Sequence, residues 1–280
     1  MSARPLIGSH ATVTGGLAKG GLSYAEAVEA EVIQVFVSNP RGWAESKGDP
    51  RQDELIRQAP VPVFIHAPYL INLGAANPET AAKSARAVEY ALDRGRQIGA
   101  RGVVVHTGSA TGGDKERALR QVGELMLPVL SRLGEDAPDL LLEPMAGQGQ
   151  MLCARAEDAG PYLEALERHP RVGLCLDTCH LFAAGHDLRA PGGVDETLKA
   201  VERAAGADRV RLVHANDSMT ALGSKRDRHE TIGKGEIGTD PFRELLAHPM
   251  MKNVPFVAET PGGKAGHASD IALLKSLREA

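Results

Sequence analysis

Six residues of metal-ligand type recur at comparable places along this chain, each directly after a short apolar run. His66 follows the run 61–65, His106 follows 102–105, Glu143 follows 140–142, Asp177 follows 172–176, His214 follows 210–213 and Glu259 follows 255–258. Imidazoles and carboxylates without thiolate are the donor set of a catalytic first-row metal site, and they suit Zn2+ or Mn2+ better than an iron–sulfur cluster or a structural cysteine site. A carboxylate at the end of a buried run needs a partner, because an unpaired buried charge is costly. Taken singly, Asp177 reads as a helix N-cap and each histidine as a hydrogen-bonded structural residue. The recurrence is what favours ligands.

The elements that must position these residues can be read from the same pattern. Two further runs, 5–8 leading to His10 and 32–37 leading to Asn39, bring the strand-length segments to eight. Helical periodicity lies between them. Ala81, Ala85, Val88 and Leu92 share one face behind a cap at Asn77 and a start at Pro78, and Ala118, Val122, Leu125, Val129 and Leu133 share another. Eight β/α alternations predict a (β/α)8 TIM barrel. No repeat, low-complexity tract or linker divides it, so one domain over 1–280 is expected. In such a barrel the C-terminal strand ends converge on one mouth, which would gather all six ligand candidates.

Two further pieces can join that mouth. His180 lies one helical turn past Asp177, and Asp227-Arg228-His229 places two donors on one side of an extended segment. On its own the Asp227/His229 pair reads as a solvated loop.

Composition bounds the class. With 280 residues, 42% hydrophobic and 24% charged, the chain can bury a large core. No apolar run reaches the roughly eighteen residues of a membrane span, and residues 1–8 hold no signal-peptide core, so a soluble cytoplasmic protein is expected. Cys153, Cys175 and Cys179 form no paired framework and are expected to pack as free thiols. A formal net charge of −4 does not by itself announce a nucleic-acid partner.

The motifs resemble a known family. His66-Ala-Pro-Tyr-Leu-Ile-Asn-Leu-Gly74, Glu143-Pro-Met-Ala-Gly-Gln-Gly149, Asp177-Thr-Cys-His-Leu-Phe-Ala-Ala-Gly185, His214-Ala-Asn-Asp217, Asp227-Arg-His229 and Glu259-Thr260 are similar to the endonuclease IV family of apurinic/apyrimidinic endonucleases, as is the opening Gly8-Ser-His-Ala-Thr-Val-Thr-Gly-Gly-Leu17. The chain departs from the family pattern at Pro40, at Pro144-Met145 and at His186, none of them a ligand position.

The resemblance implies three zinc ions, with Mn2+ as a possible substitute. His66, His106 and Glu143 would hold one; Glu143, Asp177, His214 and Glu259 a second; His180, Asp227 and His229 a third. It implies incision 5′ to abasic sites in duplex DNA, with Glu143 as the bridging carboxylate at the reaction centre. It also points to Arg41, Tyr69 and Leu70 as the residues that distort the duplex. The basic loop residues Lys225, Arg226 and Arg228 stand on the same rim and suit phosphate contacts, and three divalent ions would move the formal charge from −4 to about +2. A monomer is expected. Two rivals remain at this stage. A dinuclear sugar isomerase or epimerase uses the same barrel; a zinc-stabilised damage-binding protein would more commonly use four closing ligands, often cysteine.

Overall fold

Short runs of β-branched and leucine side chains fit a pleated surface covered on both faces, and here they form a closed parallel barrel. The computed structural model describes residues 4–279; the ends of the expected 1–280 domain, 1–3 and 280, lie outside the described residues. The strands are β1 (Ile7–His10), β2 (Ile33–Val35), β3 (Val63–His66), β4 (Gly102–His106), β5 (Asp139–Glu143), β6 (Val172–Asp177), β7 (Val210–His214), β8 (Asp217–Ser218), β9 (His229–Glu230) and β10 (Phe256–Ala258). The barrel order is β1-β10-β7-β6-β5-β4-β3-β2, while β8 and β9 pair separately as an antiparallel ribbon.

The helices are α1 (Leu17–Ala27), α2 (Pro50–Arg57), α3 (Pro78–Ile98), α4 (Lys115–Leu130), α5 (Ala159–Ala165), α6 (Thr178–Ala183), α7 (Gly193–Ala205), α8 (Asp240–Ala247) and α9 (Gly263–Glu279). Helix α3 begins as its sequence requires: Asn77 Oδ1 accepts from the backbone N–H of Glu79 at 2.8 Å and of Thr80 at 3.2 Å, with Pro78 at the first position. Such a cap contributes about 1 kcal/mol. Among the described residues no helix is long and apolar enough to cross a membrane.

Several strands run one residue beyond the apolar runs that mark them. His66, His106, Glu143, Asp177 and His214 are themselves the last strand residues, because ladder hydrogen bonds are made by backbone and are indifferent to a polar side chain. Strand β2 is shorter than the run 32–37, and the chain leaves it at Phe36, whose ring packs 4.4 Å from His10 and 5.5 Å from His66.

Strand parity then locates the site. Val32, Phe64, Val104, Leu141, Cys175, Leu212 and Val257 form a small apolar cluster of their own, separate from the main core packed between strands and helices. Residues two apart on a strand share a face. Two residues beyond each member of that cluster stand Gln34, His66, His106, Glu143, Asp177, His214 and Glu259. One apolar layer therefore supports a layer of amide, imidazole and carboxylate groups at the strand ends. In β1, Gly8 faces Val32, where a Cβ would come within 1.6 Å of the Val32 carbonyl oxygen, and His10 is in register with Gln34.

Candidate metal centre

Glu143, 1% exposed, stands at the middle of the layer. Its Oε2 lies 3.3 Å from His66 Nε2 and 3.4 Å from His106 Nε2, and its Oε1 lies 3.0 Å from His214 Nδ1. His214 Nδ1 is also 3.2 Å from Glu259 Oε2 and 3.9 Å from Asp177 Oδ2. On the other flank, His180 Nε2 is 3.2 Å from Asp227 Oδ2, and His229 Nε2 is 3.1 Å from Asp227 Oδ1. The donor atoms of His66, His106 and Glu143 lie within 4.8 Å of one another, as do those of Glu143, Asp177, His214 and Glu259 and those of His180, Asp227 and His229. The loop pair that reads alone as solvated thus sits against a helical histidine.

Each element delivers its donor for a local reason. Asp177 Oδ1 accepts from the N–H of His180 at 2.8 Å, so the N-cap reading of Asp177 holds for one oxygen. Its Oδ2 accepts from Asn216 Nδ2 at 2.7 Å and faces His229 Nε2 at 3.5 Å. The cap starts α6, and α6 carries His180 inward. His229 arrives on β9 of the β8–β9 ribbon and Asp227 on the loop that leads into it, and the ribbon is anchored by Asp217: that buried carboxylate accepts from the N–H groups of Ser218, Gly233, Gly235, Ile237 and Gly238.

Four imidazoles are held the same way. Nδ1–H of His66 donates to Ala67 O at 2.6 Å, that of His180 to Pro144 O at 3.0 Å and that of His229 to Glu259 O at 3.3 Å; His214 uses Nε2–H toward Gln34 Oε1 at 2.9 Å. In each ring the other nitrogen is left facing carboxylates, the arrangement by which outer groups set a ligand's tautomer. Glu143 Oε2, His180 Nε2 and His229 Nε2 are buried without a hydrogen-bond partner. Orphaned atoms of this kind, each facing other donors of the cluster, fit divalent cations.

Electrostatics describe the same arrangement. Burial opposes protonation of His180, yet Asp177, Asp227 and Glu143 together push it up to about 10; His229 is raised to about 9 in the same way, with Asp177 and Asp227 outweighing burial. Asp227, Glu143 and Glu259 are held well below the usual carboxylate range by the imidazoles beside them, although burial works the other way. His106 is lowered to about 4 by burial, with His66 and His180 adding to it. Protons here occupy places that cations can take, and metal uptake would release them.

Gln34 and Asn216 are not site candidates by the sequence pattern, and His10 appears there only as the polar residue after the first apolar run. Gln34 Nε2 donates to Glu259 Oε1 at 2.6 Å and lies 3.1 Å from His10 Nδ1. Asn216 Oδ1 accepts from the N–H of Glu259 at 2.8 Å. The available signal for Gln34 was an amide inside an apolar run, which is costly unless hydrogen-bonded. Cys179 is fully buried, its Sγ–H donating to Arg228 O at 3.6 Å; burial, reinforced by Asp177, pushes the thiol up to about 12. Its Sγ nevertheless comes within 4.8 Å of donors on Asp177 and His229.

The rim carries the remaining candidates. Tyr69 and Leu70 are 47% and 38% exposed, large apolar area to leave in water. The Tyr69 ring lies 5.3 Å from His66 and 5.7 Å from His106, and its N–H donates to Pro40 O at 2.9 Å, which ties its loop to the one bearing exposed Arg41. Lys225, Arg226 and Arg228 are exposed on the loop before β9, and Lys225 takes a left-handed φ of 56° against Gly147.

The family model described as xylose isomerase-like TIM barrel matches residues 22–277. A probable endonuclease 4 of Streptomyces coelicolor is 56% identical over 279 residues, covering 98% of this chain and 95% of the relative. The chain belongs to the endonuclease IV family. That makes it a nuclease by family, with a relative of known structure: the crystal structure of endonuclease IV from Thermus thermophilus superimposes with a TM-score of 0.86 at 33% identity, covering 98% of this chain and 99% of that one. A D-tagatose 3-epimerase-like protein, at 15% identity and a TM-score of 0.73 over 98% of this chain and 97% of that one, shares the fold alone with this endonuclease IV family member.

Proposed function

We propose that the chain hydrolyses the phosphodiester 5′ to abasic sites in duplex DNA, leaving a 3′-hydroxyl and a 5′-deoxyribose phosphate, and that it also trims blocked 3′ ends. The observation that carries this reading is the third donor group, His180, Asp227 and His229, standing beside the two groups that share Glu143. A dinuclear sugar isomerase has no use for it.

His66, His106 and Glu143 would hold one zinc; Glu143, Asp177, His214 and Glu259 a second; His180, Asp227 and His229 the third, with Mn2+ as a substitute. When bound, zinc supplies a hydroxide at neutral pH and positive charge opposite the phosphate oxygens. The chain's own residues do the rest. Gln34 and the backbone carbonyls of Ala67, Pro144 and Glu259 fix which nitrogen faces the site in His214, His66, His180 and His229. Glu143 offers one oxygen to each of two donor groups and so keeps them in register.

Tyr69 and Leu70 suit insertion into the stack beside a missing base, where unstacking costs least, and Arg41 suits the minor groove. Lys225, Arg226 and Arg228 suit backbone phosphates. A monomer suffices, since all of these groups come from one chain. The test is a labelled duplex bearing one tetrahydrofuran abasic analogue, beside the intact duplex and a Glu143→Ala control. Incision only 5′ of the lesion, lost in the control, supports the reading; a metal-loaded protein that leaves the lesion duplex whole overturns it.

A further inference from the structure

His229 takes its orientation from a contact between two separate segments. Its Nδ1–H donates to the carbonyl of Glu259, so the β8–β9 ribbon and the end of β10 must keep one relative position for His229 Nε2 to face Asp227 and Asp177. Among the described residues neither segment is bonded to the other through a regular ladder: β9 pairs with β8, and β10 pairs with β1 and β7.

A side chain of the last helix spans the gap. Asp270 on α9 is 1% exposed. Its Oδ2 accepts from the hydroxyl of Thr260, the residue after Glu259, and its Oδ1 accepts at 3.2 Å from the N–H of Ile232, three residues after His229. One carboxylate therefore holds both segments. His267, one turn earlier on the same face of α9, holds Thr260 from its other end, donating Nε2–H to the Thr260 carbonyl at 2.9 Å while Nδ1 accepts from the buried Tyr24 hydroxyl at 2.9 Å. With the N–H of Glu259 bonded to Asn216, the Glu259-Thr260 turn is fixed at its N–H, its carbonyl and its hydroxyl.

We propose that Asp270 is a positioning residue that keeps His229 in register with Glu259 by clasping the two segments that carry them. It touches no donor atom and no substrate; it acts through the His229–Glu259 contact. The proposal rests on reading His180, Asp227 and His229 as a metal-holding group. Removing a group that orients a ligand lowers metal affinity by about 10- to 100-fold, and the loss should fall on the group containing His229.

The test follows zinc leaving the full-length, zinc-loaded chain into excess 4-(2-pyridylazo)resorcinol, with thermal melting alongside. Asp270→Ala is expected to release about one zinc per chain roughly 10- to 100-fold faster than the parent, with the remaining zinc unchanged. Asp270→Asn is expected to restore slow release, because an amide oxygen still accepts from Ile232 and the amide nitrogen can donate to the Thr260 hydroxyl. Should Asp270→Ala not fold, Thr260→Val against Thr260→Ser asks the same question from the other side of the clasp, with fast release expected only for Thr260→Val. Melting lowered with metal release unchanged would reduce Asp270 to a structural brace and overturn the proposal, as would a parent chain that holds no zinc at this group. A parent that keeps its zinc yet fails to incise abasic DNA would instead overturn the nuclease reading and leave the release comparison standing.

Discussion

Replacing Gln34 by leucine is the sharpest probe of how the strand-end layer works. Gln34 is fully buried, similar in volume to leucine, and its amide spans two ligand candidates: it accepts from His214 Nε2 at 2.9 Å and donates to Glu259 Oε1 at 2.6 Å. Gln34→Leu leaves one N–H without an acceptor and one carboxylate oxygen without its amide donor, with His10 Nδ1, 3.5 Å from that oxygen, as its remaining neighbour. Each unsatisfied buried group costs about 1–3 kcal/mol, so the metal-free protein should lose up to about 4 kcal/mol after roughly 2 kcal/mol for the leucine's own packing is counted. The ring of His214 also loses the bond that keeps Nδ1 turned toward Glu143 and Glu259. Zinc affinity at that group should fall about 10- to 100-fold, equivalent to about 1.4–2.7 kcal/mol. Competitive titration against a chromophoric chelator measures the affinity, and single-turnover incision of an abasic duplex should fall with it. Wild-type zinc affinity in a folded Gln34→Leu protein would refute the idea that the amide sets the ligand tautomer.

Three further outcomes are expected. In chelator, His180 and His229 have folded values of about 10 and 9 against about 6.5 unfolded, so the stability they contribute is complete below about pH 6.5 and is lost as pH rises toward 9–10. The depressed carboxylates Asp227, Glu143 and Glu259 contribute above about pH 4 and lose it on acidification, and His106, lowered to about 4, adds its own loss between about pH 6.5 and 4; thermal melts across pH should show the alkaline decline, and zinc should abolish it. Tyr69→Ala with Leu70→Ala should weaken lesion-duplex binding by about 10- to 100-fold, the worth of one buried apolar side chain, with zinc content unchanged by elemental analysis. Asp53→Asn breaks the buried pair in which Arg94 donates to both carboxylate oxygens, at 2.7 and 2.8 Å, and should cost about 3–5 kcal/mol of stability by denaturant unfolding with zinc content intact.

The barrel and the convergence of the six strand-end donors were legible because each apolar run stops at a residue that burial alone would not tolerate. The position of Asp227 and His229 was less so, since a D-x-H pair on a loop looks the same whether it is solvated or folded back by a ribbon onto a helix. Gln34 lies inside an apolar run, where only the run ends mark a polar position, whereas parity, counted from the apolar layer, places it level with the ligand candidates. Asn216 reads locally as a turn residue; only the register of β6 against β7, with Asp177 beside His214, reveals that its amide faces Asp177. Asp270 and His267 could not be recovered from a helix pattern, because polar residues one turn apart on a terminal helix describe a solvated face equally well.

Asp177 divides its two oxygens between unrelated tasks, and that division limits how such a sequence can drift. One oxygen begins α6, the other faces the candidate metal centre, and α6 in turn carries His180. A substitution that removes the carboxylate therefore strikes one donor directly and unsettles the helix presenting another. Asparagine would preserve the cap while weakening the donor; alanine would forfeit both. Loss of activity and loss of local order are bound to a single codon, so intermediate sequences that keep the helix while giving up the metal have one narrow path, and descendants built on this barrel for other chemistry would have to rebuild the start of α6 first.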